Sequence, residues 1–156
     1  VLLLLAFLIS WRGDPVPTAF IDKSQQTLTV HGQVFHVAFG PSPQGNKERE
    51  GDGRTPEGLY RVIDKSQETQ FHRWLGLSYP GRADMWRARR EGRWCWLDFA
   101  FQARSQTSQL GGYVGIHGGG SKRNWTLGCI ALENSDAEKV YEILQPGDGV
   151  LIVSGI

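Results

Sequence analysis

The chain has 156 residues, 40% of them hydrophobic and 21% charged, with a formal net charge of +1 and a pI near 8.0. This length suits one domain with its own hydrophobic core and leaves no room for a second. Basic and acidic residues are interspersed, so the charge gives no indication of nucleic-acid binding.

The first ten residues are almost entirely apolar. Residues 1–9 form an unbroken hydrophobic run, shorter than the roughly 20 residues that a helix needs to span a bilayer. Such a run is typical of a signal peptide or of the tail of a membrane anchor, and the start with Val1 predicts that upstream residues are missing. We therefore expect export to the periplasm or cell envelope, with residues 1–10 able to contact the inner membrane. The alternative is a buried first strand or helix.

The N-terminal third of the chain is predicted to be β-rich. Residues 11–18, with one glycine and two prolines, indicate a linker, so the domain is expected to cover residues 19–156. Residues 19–22 and 27–30 predict a hairpin, and residues 33–40 alternate as a third strand would. A long loop then precedes a strand over residues 58–63.

The second half mixes strands and helices. Residues 64–81 have no regular pattern, residues 83–90 predict a short helix, and residues 94–101 and 113–116 predict strands. A helix over residues 136–144 is predicted, with Asn134 or Ser135 as its cap. Residues 150–153 then predict a buried last strand. The predicted fold is mostly β, with one C-terminal helix and a few short helices.

Two short segments carry the strongest chemical signal: IHGGG at 116–120 and TLGCI at 126–130. Cysteine is a nucleophile as its thiolate, and the imidazole of His117 can accept the proton of Cys129. Gly128 permits a tight turn whose backbone N–H groups can face an oxyanion. We therefore expect a Cys/His acyl-transfer site, and we expect the pKa of the Cys129 thiol to be depressed.

The second cysteine leaves an alternative open. Cys95 and Cys129 are the only cysteines, and an even count in an exported chain also fits a disulfide. Cys95 lies in an apolar, strand-like run and is better interpreted as a small buried hydrophobic residue. The four histidines lack the paired spacing of common zinc motifs, so neither a metal site nor a cofactor is predicted.

A third segment completes a family resemblance. The segment KEREGDGRTPEGLY at 47–60, followed by the His117 and Cys129 segments, resembles the L,D-transpeptidase (YkuD-type) catalytic domains, cysteine enzymes that act on peptidoglycan stem peptides. The resemblance covers roughly residues 19–153. It implies a β-sandwich or barrel-like fold with the site in a groove, Cys129 as nucleophile, His117 as base oriented by a backbone carbonyl, and Gly128 at the oxyanion hole. It also implies a substrate-binding set around the groove: His72, Tyr113, Gly118, Ser121, Trp125 and Thr126.

One position departs from many members of that family. Ala131 stands where an arginine often holds a substrate carboxylate, and a Cys-Ile-Ala-Leu ending is more similar to the branch that includes stem-peptide hydrolases. The five arginines of residues 82–93 either form a solvated face or replace that arginine by contacting the anionic wall or a stem-peptide carboxylate.

Three functions follow as hypotheses. The first is a transpeptidase acting on stem peptides through a Cys129 thioester. The second is a hydrolase of the diaminopimelate linkage, which would release an amino acid or a wall-attached protein. The third is a non-catalytic cell-wall binding module, in which Cys129 would react with a thiol probe as slowly as Cys95.

Overall fold

The computed structural model of the chain describes residues 14–93 and 109–155. Within these residues the chain is mostly β, with one curled eight-stranded sheet and two helices, which confirms the predicted fold class. The strands are β1 (Pro17–Asp22), β2 (Thr27–Val30), β3 (Gln33–His36), β4 (Gly58–Thr69), β5 (His72–Leu77), β6 (Gly115–His117), β7 (Ile130–Ala131) and β8 (Gly149–Val153). The helices are α1 (Arg82–Arg90) and α2 (Asn134–Ile143).

The sheet order is β3-β2-β1-β8-β4-β5-β6-β7. The pairs β1–β8 and β6–β7 are parallel, and the others are antiparallel. The sheet curls far enough for its two ends to meet, because Ala38, just after β3, exchanges two backbone hydrogen bonds of 2.9 Å with Ala131 in β7. This closure fixes β7, and with it the residue that precedes it, Cys129.

The predicted N-terminal hairpin is confirmed. β1 and β2 pair from Ala19 opposite Val30 to Asp22 opposite Thr27. The Asp22 carboxylate closes the turn by accepting hydrogen bonds from the backbone N–H groups of Ser24 and Gln25. β1 begins at Pro17, inside the segment predicted as a linker, and β3 ends at His36, four residues before its predicted end.

The prediction of an irregular segment over residues 64–81 is wrong. β4 continues to Thr69, turns, and pairs with β5, so this stretch is mostly an antiparallel hairpin. The sequence shows no clear strand alternation here, because some of the polar side chains bind to distant parts of the fold. Lys65, for example, donates to the carbonyl oxygens of Tyr141 and Leu144 at 2.6 and 2.8 Å.

The helix prediction is confirmed, but its cap is not. α2 starts at Asn134 with Glu133 as its N-cap residue, and no side chain caps it. The Asn134 side-chain oxygen instead accepts a hydrogen bond of 2.8 Å from the Gly119 N–H, which ties the start of α2 to the loop after His117. The buried face of α2 enters the core through Ala137 and Val140, which are 2% and 0% exposed.

Several predictions fall on residues outside the described ranges: the apolar segment 1–10, the strand over 94–101, and the environment of Cys95. In the described ranges no helix combines the length and apolar character needed to cross a bilayer. α1 agrees with the helix predicted over 83–90, and β8 agrees with the predicted last strand.

Candidate active site

The parallel pair β6–β7 brings Cys129 and His117 to one face of the sheet. His117 lies opposite Ala131, and Ile116 lies opposite Ile130, so extending the register by one residue places Gly115 opposite Cys129. Side chains alternate along a strand, and residues two apart share a face. Cys129 and His117 therefore project on the same side. A Cβ on Gly115 would lie 2.7 Å from the Trp74 ring, so glycine at this position makes room for that indole.

A hydrogen-bonded turn presents Cys129. The Thr126 hydroxyl donates to the Cys129 carbonyl oxygen at 2.8 Å and accepts from the Gly128 N–H at 3.3 Å. Gly128 has φ = +140°, and a Cβ there would lie 2.9 Å from the Arg54 carbonyl oxygen. Glycine is thus required at this position. The Gly128 N–H already donates to Thr126, so it could serve an oxyanion hole only by giving up this long hydrogen bond. Its role there stays a prediction.

The orienting partner of His117 is the backbone carbonyl of Gly118, as the family resemblance implied. Nδ1 lies 2.6 Å from that oxygen, and a carbonyl oxygen only accepts, so Nδ1 carries the proton. In the neutral ring Nε2 then holds the lone pair that a general base needs. Burial lowers the pKa of His117, an effect that the Gly118 hydrogen bond partly opposes. The neutral form is therefore the form present at pH 7.

Three aromatic rings surround His117. Phe71 stacks on the imidazole with ring centroids 4.8 Å apart, Trp74 lies nearly parallel to it at 6.0 Å, and Trp125 meets it edge-on at 5.6 Å. Trp74 is also the cross-strand partner of His117. This apolar enclosure causes the burial that favours the uncharged imidazole.

The Cys129 thiol is half-buried and free, and it donates a hydrogen bond of 3.4 Å to the Tyr113 carbonyl oxygen. Burial raises its pKa, while the Gly115 N–H and the positive charge of Lys47 act in the opposite direction without reversing it. The expectation of a depressed thiol pKa is therefore wrong for the resting protein. At neutral pH Cys129 therefore rests as a thiol and His117 as a neutral imidazole on the same face of the sheet.

The other predicted groove residues divide by position. Ser121 is buried, and its N–H and hydroxyl face Glu133 Oε1 at 3.0 and 3.5 Å. The Tyr113 side chain is 60% exposed. His72 Nε2 lies 2.7 Å from Glu138 on α2, so its ring is engaged with the helix. The substrate-binding roles of these residues stay predictions.

A cleft of about 600 Å³ adjoins the site. Neither Cys129 nor His117 lines it, but the Trp125 ring is shared between the cleft and the imidazole. Two exposed cations and one carboxylate lie along its wall. The lining residues are Gly119, Gly120, Lys122, Arg123, Trp125 and Glu133.

Gly118 is expected not to tolerate a side chain. A Cβ there would lie 2.6 Å from Asn134 Oδ1 and 2.8 Å from the Phe71 carbonyl oxygen, and the latter is backbone that must shift. We expect Gly118→Ala to lower the free energy of unfolding by about 1–3 kcal/mol, measured by chemical denaturation. Gly81→Ala is the matched control, since its Cβ would meet only ordinary contacts at 3.6 Å or more. Equal stability of the two variants would contradict the expectation.

Sequence reasoning missed the roles of three site residues. Phe71 and Trp74 were placed in an irregular segment, and Lys47 was only part of a motif. Lys47 donates to Leu127, 80 residues away. The HGGG run gave no signal that its loop is held by Asn134, because that contact depends on how α2 packs.

The arginine-rich segment makes most of its described contacts within itself, and one reaches the loop before β4. Arg87 pairs with Asp84 at 2.8 Å, Arg89 lies over the Trp86 ring, and Arg93 pairs with Glu91 and donates to the Glu48 carbonyl oxygen. These contacts favour the interpretation as a solvated face over a replacement for the missing arginine. Across residues 14–93 and 109–155, no three His, Cys, Asp or Glu side chains are grouped so that they could share a metal ion.

Comparison with known families gives a match over residues 17–152 to the L,D-transpeptidase catalytic domain. The match covers most of the chain and includes β1 to β8 apart from the last residue of β8. The chain belongs to this family. Members of the L,D-transpeptidase family act on peptidoglycan stem peptides. No match was found among curated protein sequences.

Solved structures support the fold. The helical cell shape determining protein Pgp2 (K307A mutant) from Campylobacter jejuni superposes with a TM-score of 0.59 at 21% identity, over 96% of this chain and 54% of that one. An L,D-transpeptidase (residues 123–326) from Xylanimonas cellulosilytica gives 0.53 at 14% identity, over 90% and 61%. Bd1075 from Bdellovibrio bacteriovorus gives 0.56 at 17% identity, over 91% and 49%. The chain spans about half to three fifths of the length of these proteins.

Proposed function

We propose that this L,D-transpeptidase-family domain is a cysteine acyl-transfer enzyme acting on peptidoglycan stem peptides. The observation that carries the proposal is the placement of Cys129 and His117 on one face, with the His117 Nδ1–H held by Gly118 and Nε2 left as the base. Family membership supplies the substrate class.

The reaction proceeds through a thioester. Nε2 of His117 accepts the Cys129 proton as Sγ attacks the carbonyl carbon of a stem-peptide amide. The S–C bond forms, charge develops on the carbonyl oxygen, and backbone N–H groups at Gly128 and Cys129 stabilise it. The C–N bond then breaks, and His117 gives the proton to the leaving amine. An acceptor amine or water attacks the thioester and returns the thiol.

Ala131 favours water as the acceptor in a second candidate function, hydrolysis. Its side chain is fully buried in β7, so the position where many relatives carry an arginine offers no polar contact to a substrate carboxylate. A hydrolase of the diaminopimelate linkage would release a terminal amino acid or a wall-attached protein. The domain would act after export, in the periplasm or cell envelope, which the apolar residues 1–10 support as a leader or inner-membrane anchor.

Incubation with purified tetrapeptide and protein-linked muropeptides, followed by mass spectrometry, separates these functions. Cross-linked dimers or exchange of a D-amino acid would establish transpeptidation, and products carrying only added water would establish hydrolysis. Products identical to those of a Cys129→Ala control would contradict both and favour the wall-binding module.

Lys122 and Arg123 are expected to bind a substrate carboxylate in the cleft beside Trp125, in place of the arginine absent at position 131. The double substitution Lys122→Gln/Arg123→Gln should raise KM about tenfold for a muropeptide with a free terminal carboxylate, with kcat nearly unchanged. The same muropeptide with that carboxylate amidated should show no such difference.

The matched control for this prediction is Lys139→Gln, which removes an exposed positive charge on α2. An equal rise in KM for the control, or for the amidated substrate, would show that the effect is general electrostatic attraction and not binding in the cleft.

A further inference from the structure

Lys47 is a buried cation in the loop between β3 and β4. Its side chain is 3% exposed, and its ammonium group has three hydrogen-bond partners. It donates to Asp52 Oδ1 at 2.9 Å, to the Leu127 carbonyl oxygen at 3.2 Å and to the Arg54 carbonyl oxygen at 3.3 Å. An ammonium group has three N–H bonds, so each of them is used.

These contacts join the loop before β4 to the turn that carries the nucleophile. Leu127 lies two residues before Cys129, and a Cβ on Gly128 would lie 3.2 Å from Lys47 Nζ. The aliphatic part of Lys47 also lies close to Gly111, two residues before Tyr113, because a Cβ on Gly111 would lie 3.1 Å from Lys47 Cε. Lys47 therefore contacts the turn that leads to Cys129 and lies beside Gly111, two residues before the Tyr113 carbonyl that accepts the thiol hydrogen bond.

Asp52 holds Lys47 from the other side. Burial raises the pKa of the Asp52 carboxyl. Hydrogen bonds from Lys47 and from the N–H groups of Glu48, Arg54 and Arg49 lower it by more, so the resulting pKa is about 2. Asp52 is thus ionised at neutral pH. The pair places two opposite charges beside the nucleophile turn, with the positive one nearer.

We propose that Lys47 is a positioning residue, which clamps the turn at 127–129 against the loop at 52–54 and supplies the fixed positive charge that helps Cys129 to ionise. The proposal rests on the assignment of Cys129 as the nucleophile. It explains how a thiol that burial keeps protonated is able to react: the charge of Lys47 stabilises the thiolate as it forms. It also gives the KEREGDGRTPEG segment a physical task, since Lys47, Asp52 and Arg54 all belong to it.

The test is the pH dependence of Cys129 alkylation by iodoacetamide, with the adduct quantified on the Cys129 peptide by mass spectrometry. Lys47→Met should move the midpoint of the profile to higher pH and slow alkylation at pH 7.5 about tenfold. Lys47→Arg, which keeps the charge, should restore the rate to within about threefold of the unmodified protein.

Lys23→Met is the matched control. Lys23 is also buried and ion-paired in contact with this loop, where it donates to Gly45, Thr55 and Glu57. Its loss should lower the unfolding temperature as Lys47→Met does while leaving the alkylation midpoint in place. Equal midpoints for the Lys23→Met and Lys47→Met variants would show that Lys47 is only structural.

Asp52→Asn keeps the test decisive if Lys47→Met fails to fold. Removing the carboxylate leaves the Lys47 charge unopposed, so the midpoint should move to lower pH, opposite to the shift for Lys47→Met. A shift to higher pH, or none, would overturn the proposal. Alkylation requires no peptidoglycan substrate, so a failure of the proposed enzymatic function would be visible separately, as a normal alkylation profile without turnover of muropeptides.

Discussion

Cys129→Ala should abolish turnover of stem-peptide substrates, with a loss on the order of 10⁴-fold or more, because no other side chain at the site can form the thioester. The thiol is half-buried and donates one weak hydrogen bond, so the unfolding temperature should change little. The measurement is the rate of product formation by mass spectrometry, together with a search for an acyl adduct on the intact protein.

Cys95→Ala is the natural control, since it removes the other cysteine of the chain. It should keep both activity and the acyl adduct. Activity above about a tenth of the starting level in Cys129→Ala would contradict the assignment of the nucleophile.

His117→Gln should reduce kcat by about 10²–10⁴-fold, because the resting thiol then has no base to accept its proton. His36→Gln is the matched control, as His36 is exposed at the end of β3. Since Cys129 rests as a thiol, the loss at His117 should also appear as slower alkylation at neutral pH. Alkylation at the unchanged rate would indicate that another group takes the proton.

The pH profile of kcat/KM follows from the same histidine. Only neutral His117 accepts a proton, and burial lowers its pKa below the ordinary value of 6.5. Activity should therefore persist as pH falls through 6.5 and decline only at lower pH. A decline centred above 6.5 would contradict this assignment of the base.

The free energy of unfolding should also decrease as the pH falls below 6.5. Between the folded pKa of His117 and 6.5, the unfolded chain binds more protons than the folded one, so the free energy of unfolding rises with pH in that window. The contribution is fully present above 6.5 and decreases as the pH falls toward the folded pKa. His117→Gln should flatten this dependence in denaturant titrations, and an unchanged slope would contradict it.

The sequence alone determined the elements whose signals are local. The β1–β2 hairpin, α1 and α2 were predictable because apolar periodicity and turn residues lie within a few positions of each other. The pairing of His117 with Cys129 as a hypothesis also came from a local motif, since the two lie twelve positions apart. The family resemblance followed from three segments in order.

The tertiary structure alone decided the protonation state of the site and its supports. A thiol beside a histidine was expected to be acidic, but the pKa of Cys129 depends on how far the folded chain removes the thiol from water, and burial reverses the expected direction. Asn134 was expected to cap a helix and instead binds Gly119. Lys47 contacts Leu127 only because the curled sheet brings distant loops together, and no local pattern encodes a contact across 80 residues.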